Sequence, residues 1–177
     1  MRIMKKLLFL ISVVLLPLSV YGQGQDQIPK YKSVFTLSFM RYVGWPEETK
    51  QGDFVIGVVK DKEVAEWLRN LSKGKKFGFQ NVIIKEFKSP NDVTDCQVLF
   101  LSEYVNLSKY ASAIVDKIGG KNTLIVSERN GSTKYGSMIN FVIKDDKLRF
   151  EIHKANASKF GLQISSKLGG MASAITL

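Results

Sequence analysis

The sequence predicts an α/β fold: a Rossmann-like three-layer sandwich, whose mostly parallel sheet is followed by a C-terminal antiparallel β-hairpin and helix. Three observations lead to this prediction. Short apolar runs alternate with segments of helical length as far as residue 127, the pattern of a parallel sheet with helices on both faces. The apolar runs are mostly continuous, which indicates strands covered on both sides. After residue 139 apolar and polar residues alternate strictly, as in a hairpin with one buried face.

The N-terminus has the layout of a secretory signal peptide. Arg2, Lys5 and Lys6 precede an apolar run over 7–20, and the small residue Gly22 suits a cleavage site. The alternative is an uncleaved membrane anchor, but the run is shorter than the about 20 residues that span a bilayer. We therefore predict that residues 1–22 are a signal peptide and that 23–177 form a single exported domain.

The first elements each have a local signal. Apolar residues near helical spacing predict a helix over 31–43, which Gly44 and Pro46 end. The run FVIGVV at 54–59 predicts a buried strand, and Asp61 then caps a helix over KEVAEWLRNL. A strand, a turn, a strand, a helix and a strand follow in that order: 82–87, 91–95, 97–102, 107–118 and 123–127.

The C-terminal third changes character. Two alternating strands around the turn KDDK, whose acids suit turn positions, predict an antiparallel hairpin at the edge of the sheet. A polar helix is expected after it. The second strand turns Arg149, Glu151 and His153 to its solvated face. This edge unit either offers a surface for a partner domain or a second copy of the chain, or it only closes the sheet.

The chain is basic, with 26 basic and 16 acidic side chains. Without the signal peptide 23 basic residues remain, a net charge of +7. An acidic partner is one interpretation: a nucleotide, an anionic lipid headgroup or an acidic protein. A solvated surface that keeps the protein soluble is the other, and the scattering of the lysines favours it. The densest run is Lys73, Lys75 and Lys76. No basic stripe carries interleaved aromatics, so we predict no nucleic-acid partner.

No motif for catalysis, metal binding or cofactor binding is present in the sequence. The single histidine lacks the spacing of a zinc site, and no phosphate-binding glycine loop follows a strand. Cys96 is the only cysteine, so it cannot form a disulfide within the chain, and its apolar neighbours indicate a buried thiol. We therefore predict no catalytic residue, no metal, no cofactor and no enzymatic activity.

One region could still form a site. Ligands bind beyond the carboxyl ends of parallel strands, and the loops expected there carry polar residues. These are Asp61, Glu103, Tyr104, Glu128, Arg129 and Asn130.

Four segments resemble the YfiR/HmsC-like family of bacterial periplasmic proteins. FTLSFMRYVGWPEE, with Trp45 and Pro46, is similar to the opening helix of that family. FVIGVV, with Gly57, resembles the next strand, and DCQVLFLS resembles the strand that carries Cys96. The segment GSMINFVIKDDKLRFEIHKANASKFGLQISSKL matches the most recognisable part. Its matching positions are Gly136, Ile139, Asn140, Phe141, Phe150, Glu151, Ile152, Ala157, Gly161, Leu162, Ser165, Ser166 and Leu168.

The resemblance implies a periplasmic regulator. Members of the family repress an inner-membrane diguanylate cyclase by binding its periplasmic sensor domain, which controls cyclic di-GMP and biofilm formation; others occur beside sensor kinases. Two departures matter. Some family members carry cysteine pairs that respond to redox state, whereas Cys96 is the single cysteine here, so a disulfide switch within the chain is ruled out. His153 replaces the usual asparagine, and the glycines of LGG at 168–170 weaken the last helix by about 1 kcal/mol each.

Three functional hypotheses follow. The first is a regulator that binds an inner-membrane sensor protein. The second is a small-ligand-binding module at the strand ends, and both can hold if a ligand sets partner affinity. The third is an enzyme with Glu128 or His153 as acid or base. The residues expected to contact a partner or ligand are Arg149, Glu151, His153, Glu103, Tyr104 and Arg129.

Overall fold

The computed structural model describes residues 27–120 and 122–177, so the predicted signal peptide lies outside the described residues. Within this part the chain forms a mixed α/β fold with five α-helices and a mostly parallel eight-stranded sheet. The first half contains α1 (Ile28–Phe39), β1 (Val43–Gly44), β2 (Phe54–Val59), α2 (Lys62–Ser72), β3 (Lys76–Phe77), β4 (Gln80–Phe87) and β5 (Val98–Leu101). The second half contains α3 (Leu107–Lys117), β6 (Leu124–Ser127), β7 (Ile139–Lys144), β8 (Lys147–His153), α4 (Lys154–Lys159), β9 (Gln163–Ile164), α5 (Ser166–Gly169) and β10 (Ala174–Thr176).

The strand order of the large sheet is β10-β8-β7-β6-β5-β2-β4-β3. Neighbouring strands are parallel except β7 with β8 and β3 with β4. From β2 the chain crosses to β4 on one side, and from β5 it crosses to β6 on the other. Right-handed crossovers in opposite directions place α2 and α3 on opposite faces. A separate two-stranded sheet joins β1 and β9.

Local signals explain the helix that precedes the sheet and the one that follows β2. Pro29 stands in the first turn of α1, where its missing N–H costs no hydrogen bond. Asp61 caps α2, because its carboxylate accepts a hydrogen bond from the Val64 N–H at 3.0 Å. The two helices pack closely, and the buried Ser33 hydroxyl donates to the Val64 carbonyl at 3.1 Å.

An aromatic cluster anchors α1 over the hairpin. The Phe39 ring lies 5.7 Å from that of Phe141 on β7 and 5.0 Å from that of Phe150 on β8, measured between centroids. Phe35 lies one turn earlier, at 5.7 Å from Phe150. Burial of these rings holds the carboxyl half of α1 against the hairpin. The amino end of α1 then lies beside the hairpin turn, where Ile28 and Ile143 line the same crevice.

β7 and β8 are joined by a tight turn and form an antiparallel pair. β7 and β8 pair from Ile139–Ile152 to Lys144–Lys147, which leaves a two-residue turn. Both turn residues, Asp145 and Asp146, have positive φ, at 51° and 55°. Two successive left-handed residues are typical of a type I′ turn, whose twist matches that of the strands.

The helix expected after the hairpin forms as the short α4, and the expected position of the hairpin at the sheet edge was wrong. The helix ends before Gly161, which has a left-handed φ of 73°, and the chain then enters β9, which pairs with β1. The hairpin is not the edge of the sheet. β10 runs parallel to β8 and pairs with it from Ala174–Glu151 to Thr176–His153.

Candidate functional site

A crevice of about 580 Å³ opens where β5 and β6 end, between the amino end of α1 and the hairpin turn. We call this side of the sheet the carboxyl edge. Five polar side chains line it: Lys32, Glu103, Glu128, Arg129 and Asn130. Five apolar ones complete it: Ile28, Phe141, Val142, Ile143 and Leu148. The crevice is therefore amphipathic. The hairpin supplies most of its apolar walls, and the loops and α1 supply its charged groups.

A buried ion pair crosses the crevice. Lys32, on α1, contacts the Glu128 carboxylate, which follows β6. The two side chains are only 16% and 8% exposed. Glu128 also accepts a hydrogen bond from the Glu103 N–H at 2.9 Å. Burial raises the pKa of Glu128; Lys32 and the Glu103 N–H lower it, whereas the charge of Asp61 raises it.

The loops that follow β5 and β6 are joined by hydrogen bonds. The Arg129 guanidinium donates to the Glu103 carbonyl oxygen at 3.2 Å, while the Glu103 N–H donates to Glu128. Below them lies the fully buried Asn140 amide. With its nitrogen turned toward β6, this amide donates to the Arg129 carbonyl oxygen at 3.0 Å and lies 2.6 Å from the Ser127 hydroxyl. These bonds position the Arg129 backbone from the sheet itself.

Lys32 was missed by sequence reasoning, although a signal exists. Ile28, Lys32, Phe35 and Phe39 fall on one side of α1 at helical spacing, and the three apolar members face the hairpin and the crevice. A lysine within such an apolar stripe indicates a buried partner charge. Nothing in the local sequence identifies that partner as Glu128.

The structure divides the six predicted contact residues between two surfaces. Glu103 and Arg129 line the crevice, and Tyr104 stands beside them with 73% of its surface exposed. Arg149, Glu151 and His153 alternate with the residues of β8 that face the crevice and the core, so they lie on its other side. They are not brought together with the crevice.

His153 has a structural contact of its own. It is the cap residue of α4, and its Nδ1 accepts a hydrogen bond from the Asn156 N–H at 3.3 Å. Glu151 and His153 are half-buried and lie in register with Ala174 and Thr176 of β10, whereas Arg149 is exposed. Whether these residues bind a partner stays a prediction.

Cys96 is 5% exposed, and burial raises the pKa of its thiol to about 12. The thiol is therefore neutral and packs as a small apolar group beside Gly57. In residues 27–120 and 122–177 no three histidine, cysteine or acidic side chains are placed to bind a metal ion together. No helix in the same residues combines the length and apolar character needed to cross a membrane.

Comparison with known proteins assigns the chain to a family. Comparison with curated proteins found no match. A family model described as YfiR/HmsC-like matches residues 29–173, which extend from the first turn of α1 to the residue before β10. The match covers most of the chain and includes the hairpin, the buried Asn140 and every crevice residue except Ile28. The chain therefore belongs to the YfiR/HmsC-like family.

Proposed function

We propose that this chain is a periplasmic regulatory protein that binds the periplasmic sensor domain of an inner-membrane signalling protein and represses or modulates it. The partner would be a diguanylate cyclase or a histidine kinase, with cyclic di-GMP and biofilm formation as the regulated outputs. The observation that carries the proposal is the family match over residues 29–173, because this family is one of periplasmic regulators. The basic N-terminal start and apolar run support export.

The carboxyl edge is the best-supported docking surface. Tyr104 and Ile143 are 73% and 62% exposed there, next to Arg129 and Glu103. Exposed tyrosine and arginine around an apolar side chain are typical of protein interfaces, where such residues contribute most of the binding energy. Arg149, on the other side of the hairpin, provides a second contact if the partner wraps around the turn.

A complementation experiment tests this proposal. Deletion of the gene should change cyclic di-GMP or kinase output, and the wild-type gene should restore it. Tyr104→Ser and Arg129→Glu should fail to restore it at equal protein level. Tyr135→Ser is a matched control, because Tyr135 is 51% exposed and belongs to a turn that Asn156 binds, away from the crevice. Unchanged output on deletion, or equal rescue by all variants, would contradict the proposal.

A small-ligand site is the second candidate, and the buried Lys32–Glu128 pair favours it. If the sheet is treated as a Rossmann-like three-layer sandwich, the crevice lies where such folds bind ligands. A charged pair between apolar walls would suit a small zwitterion such as an amino acid, whose two charges could exchange with those of the pair. Arg129 at the rim could hold a carboxylate.

Thermal unfolding with amino acids and nucleotides tests the second candidate. A ligand at one hundred times its Kd should stabilise the protein by about 2.7 kcal/mol. The effect should disappear in the Arg129→Gln variant and persist in Tyr135→Ser. If no compound stabilises the protein at millimolar concentration, the crevice is not a ligand site. We propose no catalytic role, because Glu128 is already held by Lys32 and the Glu103 N–H.

A further inference from the structure

An isolated phenylalanine projects from the turn between β3 and β4. Phe79 is 98% exposed, more than any other large apolar side chain of the described residues. The strands pair up to Phe77 and Gln80, so Gly78 and Phe79 form a two-residue turn. Gly78 has a φ of 60°, and glycine at the first central position is typical of a type II′ turn. The ring therefore stands at the tip of a short and well-defined hairpin.

Basic side chains lie on β3 and on the loop that leads into it. Lys73, Lys75 and Lys76 are all exposed and line one shallow cavity together with Arg69. Lys75 and Lys76 also line the adjoining cavity, which reaches Arg41. Phe77 connects that cavity to a third one, beside Phe79 and Lys50. The cations and the ring thus belong to one continuous surface, which we call the basic turn surface.

Few acids offset this charge. Arg69 pairs with Glu86, and Lys50 pairs with Glu47. Asp53 accepts a hydrogen bond from the Asn81 amide at 3.1 Å. Among the residues that the structure describes, no ion pair reaches the four other cations of the surface. These are Arg41, Lys73, Lys75 and Lys76.

We propose that the basic turn surface docks the protein onto an anionic lipid bilayer. Phe79 inserts at the boundary between headgroups and acyl chains, and Lys73, Lys75 and Lys76 contact the phosphates. Binding of a protein surface to a bilayer depends on the apolar area that it buries and on its attraction to anionic lipids, and this surface offers both contributions. The long lysine stems can lie along the apolar boundary while the ammonium groups remain at headgroup level.

The shape of the surface favours a bilayer over a folded partner. The Phe79 ring projects from a convex turn and is almost fully exposed. A folded protein partner would need a preformed pocket to bury this ring. A fluid bilayer accepts a projecting ring without such a pocket. Anionic headgroups also supply the charge that the cations lack. An acidic protein surface is the other occupant, and the experiment below separates the two.

Vesicle binding tests the proposal directly. The mature protein should co-sediment with vesicles of phosphatidylcholine containing phosphatidylglycerol and not with vesicles of phosphatidylcholine alone. Each basic residue near an anionic surface contributes about a fivefold factor, so Lys75→Gln/Lys76→Gln should weaken partitioning by about 25-fold. Phe79→Ser should weaken it by about tenfold through the lost apolar contact. Higher salt should reduce binding by the wild type.

Two control variants match these changes. Lys144→Gln/Lys147→Gln removes the same charge from the hairpin between β7 and β8, and Tyr135→Ser removes an exposed ring elsewhere. Both should bind vesicles like the wild type. All six substituted side chains are exposed, so every variant should keep the wild-type Tm.

Three results would overturn the proposal. Equal binding to neutral and anionic vesicles would remove the role of the cations. Equal losses in the test and control variants would show that net charge alone matters. If Lys75→Gln/Lys76→Gln weakens binding to the isolated sensor domain in solution but leaves vesicle binding unchanged, the surface is a protein contact. These measurements are independent of signalling output, so they can fail while the regulatory proposal holds.

Discussion

The ion pair between Lys32 and Glu128 gives the sharpest prediction for stability. Glu128 is 8% exposed, so replacement of Lys32 by methionine would leave a buried carboxylate without its cation. Loss of one partner of a buried pair costs about 3–5 kcal/mol. Glu128 keeps the hydrogen bond from the Glu103 N–H, so we expect the lower end, about 3 kcal/mol. Glu128→Leu should cost less, about 2 kcal/mol, because the long side chain of the remaining Lys32 lets its ammonium group reach water.

The double variant Lys32→Met/Glu128→Leu completes a double-mutant cycle, which separates the interaction energy of the pair from the effects of the two single changes. Apolar replacement of both partners removes the buried charges together and fills the space, so its stability should lie within about 1 kcal/mol of the wild type. The interaction energy of this double-mutant cycle would then be about 5 kcal/mol, within a range of about 4–6 kcal/mol. Urea denaturation measures each value, with an unchanged m-value as evidence that the denatured state is unaffected. A stable double variant would indicate that the pair is retained for the crevice rather than for folding.

The pH dependence of the free energy of unfolding also tests the role of Lys32. Burial already raises the pKa of Glu128, and loss of Lys32 removes a group that lowers it. A carboxyl whose folded pKa exceeds its unfolded value gains stability as the pH falls through the folded pKa. The stability that Lys32→Met loses relative to the wild type should therefore decrease when the pH is lowered from neutral toward the ordinary pKa range of a carboxyl group. A deficit that grows on acidification would contradict the assignment.

An exposed pair is the matched control for this cycle. Lys62 and Glu66 are 80% and 54% exposed and lie 3.6 Å apart on α2. Lys62→Met should change the free energy of unfolding by less than about 0.5 kcal/mol. If Lys32→Met is as mild as this control, or if the two single changes at the crevice are additive, the reasoning about the buried pair is wrong.

Three other predictions test the fold. A Cβ on Gly57 would lie 2.7 Å from a ring carbon of Phe87, so Gly57→Ala should cost about 1–3 kcal/mol in urea denaturation, and a neutral effect would refute the packing. Asp146→Gly should stabilise by about 0.5–1 kcal/mol, because φ is positive there; a loss would argue against the turn. Cys96, with its pKa raised from 9.0 to about 12, should react with a thiol reagent only after unfolding. Its contribution to stability should be full below pH 9 and decrease toward pH 12, and rapid native labelling would contradict its burial.

The larger elements could be predicted because their signals are local. FVIGVV at 54–59 forms β2 within the predicted bounds, and Asp61 caps α2 as its position suggests. The short strands could not be predicted: β1, β3 and β9 have two residues each, which is too few for any period. β10 has three exposed residues, and only its pairing with β8 identifies it.

Part of the candidate site could also be predicted, because some of its residues have local sequence signals. Glu103 and Arg129 directly follow apolar runs, so the rule for parallel sheets places them at the carboxyl edge. Lys32 comes from a helix that precedes the sheet, and its contact with Glu128 depends on how α1 packs across the hairpin. That packing is set by Phe39, which lies far in the sequence from its contacts Phe141 and Phe150 on the hairpin. Local periodicity carries no record of such contacts.

The central claim is that the chain acts by binding a membrane signalling protein through the carboxyl edge. Photo-crosslinking in living cells tests it most directly, with a photoreactive phenylalanine analogue in place of Tyr104 and, as the control, in place of Tyr135. We expect a light-dependent adduct with an inner-membrane protein that has a periplasmic domain, at Tyr104 and not at Tyr135. No adduct at Tyr104, or the same adduct at both positions, would contradict the claim.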